Sequence, residues 1–108
     1  NILVKLKISE QQIIVEKTAR YSIILPDSKI INSVWIVIHG YAQLAKDFIT
    51  SFNILDDNST IIIAPEGLSK FYSKDKPAAS WMTKEDRINE INDYCNYLDK
   101  LFDKIKSP

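Results

Sequence analysis

The sequence predicts an α/β fold, a mostly parallel sheet with flanking helices, and three observations carry that prediction. Val34-Trp35-Ile36-Val37-Ile38 and Ile61-Ile62-Ile63-Ala64 are apolar at every position, as in strands covered on both faces. Between them Leu44, Phe48, Phe52 and Leu55 recur at helical spacing, which makes a strand–helix–strand unit with a right-handed crossover. Near the end, Ile88, Ile91, Cys95, Leu98, Phe102 and Ile105 form one apolar stripe at alternating three- and four-residue steps.

The elements follow in order along the chain. Val4, Leu6 and Ile8 alternate with Lys5 and Lys7, predicting a strand over about 2–8, with Ile13 and Val15 as a short returning strand. A strand over about 20–25 stops at Pro26-Asp27, where proline fixes φ and removes a donor. The two buried strands cover about 34–38 and 60–64, with a helix over about 44–55 between them. Residues 66–82 read as one long irregular segment, of the length that is usually functional or mobile. The last helix runs over about 84–106: Thr83 and Asp86 resemble a capping box, Lys104 and Lys106 suit the negative helix end, and Pro108 stops it. No strand follows it, so the chain, a single domain over 1–108, reads as truncated before a further buried strand.

Composition excludes several classes. Fourteen basic and fourteen acidic side chains cancel, so no nucleic acid or anionic membrane is expected as partner. The longest apolar run is five residues, far short of the roughly 20 that span a bilayer. A lone Cys95 cannot form an internal disulfide and points to a reducing, cytoplasmic compartment. One His and one Cys make no transition-metal site of the usual kind, a glycine-rich phosphate loop is absent, and no cofactor is expected. Asn58-Ser59-Thr60 fits the N-glycosylation triplet, and Ser73 with Lys76 fits S-x-x-K; both are patterns that chance supplies.

Chemistry is expected where His39-Gly40 closes the strand 34–38, since open α/β sheets bind ligands beyond the carboxyl ends of their strands. Gly40 would let the chain turn sharply into the helix beginning at Leu44, leaving the amides of Tyr41 and Ala42 facing a crevice. The plain alternative is an ordinary strand-to-helix turn with His39 bonded to backbone.

The segment VWIVIHGYAQLAKDFI at 34–49 resembles the third-strand and first-helix region of α/β-hydrolases in the phospholipase/carboxylesterase group, where a strand ends in His-Gly and the next amide donates to the oxyanion hole. IIIAPEGLSKFY at 61–72 is similar to the following strand and pocket loop, and ASWMTKEDRINEINDYCNYLDKL at 79–101 to the Trp-containing loop and long helix before the nucleophile strand. The likeness implies a partial α/β-hydrolase fold, cut before the nucleophile strand. It implies Tyr41 as the backbone oxyanion donor, Gly40 as the bend that aims it and His39 as a supporting residue. It also implies Trp81, Met82, Leu68 and Tyr72 near an acyl or alcohol pocket. For Trp81 the alternative is a core aromatic, and for Leu68 and Tyr72 plain loop packing.

The departure from that pattern is large. The nucleophile elbow G-x-S-x-G needs small residues around a strained turn, and Gly40 and Gly67, the only glycines, do not supply it. No Ser-His-Asp set can be assembled from a chain whose single histidine sits on the oxyanion side. The leading expectation is the N-terminal part of a serine hydrolase acting on a small ester or acyl substrate, with these residues inactive by themselves. The alternative is a non-catalytic α/β interaction module that forms an oligomer through an exposed sheet edge.

Overall fold

The computed structural model describes residues 6–55 and 59–106. Among these residues five strands and two helices are present: β1 Tyr21–Ile24, β2 Ser33–Ile36, α1 Ala45–Phe48, β3 Thr60–Pro65, β4 Ser69–Ser73, β5 Lys76–Ser80 and α2 Arg87–Lys106. A 3-10 segment, Ile49–Leu55, continues α1.

The strands make two small sheets. In the first, of order β1-β3-β2, β3 pairs with β2 in parallel and with β1 antiparallel. In the second, β4 and β5 form an antiparallel hairpin. This corrects the expectation of a mostly parallel sheet with flanking helices, and with it the partial α/β-hydrolase fold: β2–β3 is the one parallel pairing among the described residues. The misreading has a local cause. Residues 69–80 read as loop because the hairpin's turn, Lys74-Asp75, lacks the Asn-Gly signature of such turns, yet both residues adopt positive φ, 50° and 65°. Ser73 and Lys76, the S-x-x-K pair, face each other across that turn.

The strand–helix–strand unit itself is present. Val34, Trp35 and Ile36 of β2 lie opposite Ile61, Ile62 and Ile63 of β3, and Ser33 meets Thr60 through hydroxyls 2.9 Å apart. β3 is the central strand and the most deeply buried one, because it is covered on both edges. Strand side chains alternate between faces. Ile62 and Ala64 accordingly meet Ala45 and Ile49 in the core, with Ile24, Val37 and Phe52 packed around them. On the other face lie Ile63, Pro65 and their antiparallel partners Ile23 and Tyr21. There the Lys104 ammonium of α2 sits 5.8 Å from the Tyr21 ring centroid.

Other expectations shift at their edges. Of the strand foreseen over about 2–8, residues 1–5 lie outside the described part, and Leu6 to Ile8 form no strand and are exposed. Ile13 and Val15 likewise form no returning strand. β2, read as covered on both faces, is an edge strand with Val34, Trp35 and Ile36 between 40% and 47% exposed. Helix α2 begins at Arg87, three residues later than foreseen, because Thr83 does not cap with Asp86. Its amide and hydroxyl both donate to the Glu90 carboxylate, at 2.8 and 2.6 Å. Asn58 of the glycosylation triplet and Pro108 lie outside the described residues. No helix of the described residues is long and apolar enough to cross a membrane.

Candidate functional site

Beyond β2 the chain turns through His39, Gly40, Tyr41, Ala42 and Gln43 before α1 begins. His39 is buried and held at both ring nitrogens. The Gly67 amide donates to Nε2 at 2.9 Å, which makes Nε2 an acceptor. Nδ1 therefore carries the proton and donates to the Gly40 carbonyl at 2.7 Å. The His39 carbonyl accepts from the Trp81 indole at 3.1 Å, and the two rings lie 5.3 Å apart. This histidine is a brace of the loop, with no ring nitrogen left over for proton transfer.

The rest of the turn is closed the same way. The Gly40 amide donates to Gln43 Oε1 at 2.6 Å, the Gln43 amide to the Gly40 carbonyl, and the Ala42 amide to the Ala79 carbonyl of β5. The sharp bend falls on Ala42, at φ 64°, and not on Gly40, whose φ is negative. Gly40 is thus not the residue that turns the chain, contrary to the sequence expectation. Between the bonded amides of Gly40 and Ala42, that of Tyr41 makes no hydrogen bond among the described residues, and neither does that of His39. The residue is 76% exposed, and its ring lies 5.5 Å from the Phe71 ring.

What positions the loop is Glu66, at the end of β3. Its side chain is 3% exposed and receives Arg20 at 2.7 Å, the Ala45 amide at 3.2 Å, and Lys70. The amide at the start of α1 is therefore occupied by a carboxylate of the chain itself. The backbone amide of Glu66 donates to the Arg20 carbonyl, with the Tyr97 hydroxyl of α2 3.1 Å away. That hydroxyl donates to the same carbonyl at 2.9 Å. Burial pushes the Glu66 carboxyl up, but the hydrogen bonds from Lys70, Arg20 and Ala45, with the Lys70 charge, outweigh it and hold the group below its ordinary 4.5. Burial raises the Tyr97 hydroxyl to about 12.

Gly67 follows directly, and here glycine is required by space. A Cβ at this position would meet the Ser80 carbonyl oxygen at 2.5 Å, backbone that cannot swing away. At Gly40 it would meet only the end of the Gln43 side chain, at 3.1 Å.

A groove of about 770 Å³ opens beside the turn, lined in part by Tyr41, Phe71, Met82, Lys84 and Arg87. Of the residues named from sequence, His39, Gly40, Tyr41 and Trp81 come together at the turn, and Met82 joins Tyr41 in the groove. Leu68 and Tyr72 do not. The Leu68 carbonyl accepts from Lys17, and Tyr72 stands 78% exposed beside a smaller groove with Arg20 and Pro77. Trp81 packs among His39, Tyr94 and Tyr97, which makes it a support rather than a groove wall. Sequence reasoning missed Glu66, whose signal was a lone carboxylate following an apolar strand and preceding a glycine. No cluster of His, Cys, Asp and Glu able to hold a metal ion occurs among the described residues. No family model, curated protein or solved structure matches the chain.

Two outcomes follow from this geometry. Gly67→Ala should destabilise the fold by roughly 1–3 kcal/mol, the usual range for forcing extra volume into packed structure. Gly40→Ala should change stability by less than about 1 kcal/mol; urea unfolding of both variants decides, and equal effects would contradict the close approach to Ser80. Because the Glu66 carboxyl is lowered, its contribution is present above 4.5 and is lost as pH falls through the folded value; that of Tyr97 is present below 10.0 and lost as pH rises through about 12. Glu66→Gln should flatten the acid side of a stability–pH profile while costing about 1–3 kcal/mol at neutral pH. An acid side unchanged in the variant would show that the carboxylate is not charged and paired in the fold.

Proposed function

We propose that this chain supplies the oxyanion side of a carboxylic-ester hydrolase, with its nucleophile, base and acid contributed from sequence beyond Pro108. The observation that carries the reading is the unpaired Tyr41 amide, in a turn where neighbouring amides are bonded, beside a groove that holds Tyr41 and Met82. A fixed donor with no partner of its own stabilises charge that develops on a carbonyl oxygen at no cost of reorganisation. Attack on the ester carbon would push the C=O π pair onto oxygen, to which the Tyr41 N–H donates a hydrogen bond; as that pair re-forms the carbonyl, the C–O bond breaks and the alkoxide leaves, taking the proton held by the base. The likeness of 34–49, 61–72 and 79–101 to serine esterases supports the same assignment. His39 takes no proton in this scheme, since both ring nitrogens are engaged.

A second reading is favoured by one observation, the open edge of β2. Val34, Trp35, Ile36 and Ile38 are all partly exposed, and no charge or proline interrupts 33–38. Sheet edges of this kind pair with other strands unless blocked. On this reading the chain forms a non-catalytic oligomer through that edge.

The readings separate by experiment. On the first, the frame past Pro108 encodes a G-x-S-x-G after an apolar strand within about 30 residues. In that longer protein Tyr41→Pro, which deletes the N–H, lowers kcat by about 10²–10³-fold with KM little changed, while Tyr41→Phe retains activity. An undiminished kcat in Tyr41→Pro overturns it. On the second, light scattering finds a discrete oligomer of the 108-residue chain that Trp35→Lys dissociates. A monomer at all concentrations rejects that alternative.

A further inference from the structure

The groove beside Tyr41 has a chemical bias that the ester reading does not use. Phe71 and Met82 give it an apolar wall with the Tyr41 ring, while Lys84 and Arg87 stand on its lining. Among the described residues no acidic side chain lines it. Lys70 also reaches it, but its ammonium is committed to the Glu66 carboxylate. Lys84 and Arg87 make no ion pair among the described residues. Of the acids near them in sequence, Asp86 accepts from Asn89 at 2.9 Å and Glu90 accepts from Thr83, while Glu85 stands outside the groove lining and pairs with neither cation. In a chain whose charges cancel overall, two uncommitted cations beside an apolar wall are a local feature.

We infer that this groove binds an anion with an apolar body, its carboxylate or phosphate head held by Lys84 and Arg87 and its body against Phe71, Met82 and Tyr41. A volume of about 770 Å³ accommodates such a ligand. Arginine forks onto either head group through paired N–H donors, and lysine adds a point charge. The apolar body supplies the area that two solvent-facing cations lack, since exposed ion pairs alone are weak. Binding needs no nucleophile, so the inference stands or falls independently of the ester reading.

The test is a titration of the 108-residue chain, followed by amide chemical shifts and calorimetry, with octanoate, octyl phosphate, octanol, acetate and inorganic phosphate as probes. Saturable binding of octanoate or octyl phosphate is expected, with shifts centred on Tyr41, Phe71, Lys84 and Arg87. Octanol should bind about tenfold more weakly or worse, and acetate and inorganic phosphate should not saturate. The double variant Lys84→Gln, Arg87→Gln should lose about tenfold in affinity for the amphiphilic anions, and Lys84→Arg, Arg87→Lys should regain it. Both pairs lie at exposed positions, and circular dichroism checks that each variant keeps its fold. Equal binding of octanol and octanoate, undiminished binding in the Gln double variant, or shifts confined to the β2 edge would overturn the proposal.

Discussion

A single buried carboxylate organises this structure. Glu66 sits where β3 ends, and placing its charge out of water is tolerable only because Arg20, Lys70 and the Ala45 amide converge on it. Those partners come from the residue before β1, from β4 and from the start of α1. The Glu66 amide meets the Arg20 carbonyl, and the Tyr97 hydroxyl of α2 joins them. One residue therefore ties four elements to the end of the central strand. Removing it would leave the buried Ala45 amide without its acceptor and release Arg20 and Lys70 toward solvent.

The turn after β2 inherits its shape from that anchor. Gly67 is the residue after Glu66, so its amide is delivered to His39 Nε2 while its bare Cα lies against Ser80. The imidazole then fixes the Gly40 carbonyl, Trp81 fixes the His39 carbonyl, and the Ala79 carbonyl takes the Ala42 amide. Rigidity in this loop comes from side chains and from β5, since α1 is only four residues long. The strained conformation belongs to Ala42, an unusual place for positive φ in a residue with a Cβ.

Hydrophobic pattern was a good guide to which segments pair and a poor one to what surrounds them. Ile61 to Ala64 announced a buried strand because four successive apolar residues suit nothing else so near a proline, and β3 is that strand. The same pattern in Val34 to Ile38 promised cover on both faces, yet pairing on one edge only leaves β2 half open. Along α2 the foreseen stripe is half covered: Ile88, Cys95 and Phe102 are exposed while Ile91, Leu98 and Ile105 are half-buried, and the covered side also takes in Tyr94, Tyr97 and Leu101. Tyrosines are poor markers in such patterns: here the Tyr97 ring stacks on Trp81 while its hydroxyl reaches backbone. The hairpin was illegible because Lys74-Asp75 reaches the left-handed region without glycine or asparagine. Tyr41 and its turn were legible as chemistry from strand-end position alone, but the bracing by Glu66 and Gly67 depended on contacts more than twenty residues apart.

Amide hydrogen exchange across 39–43 and 66–67 probes the central claim, a braced turn with a free Tyr41 donor, most directly. The Ala42 and Gly67 amides should be protected, each bonded to buried partners, while the Tyr41 amide between them exchanges close to the rate of an unstructured peptide. A Tyr41 amide protected as strongly as that of Ala42 would mean that the donor is already satisfied, and no oxyanion could use it.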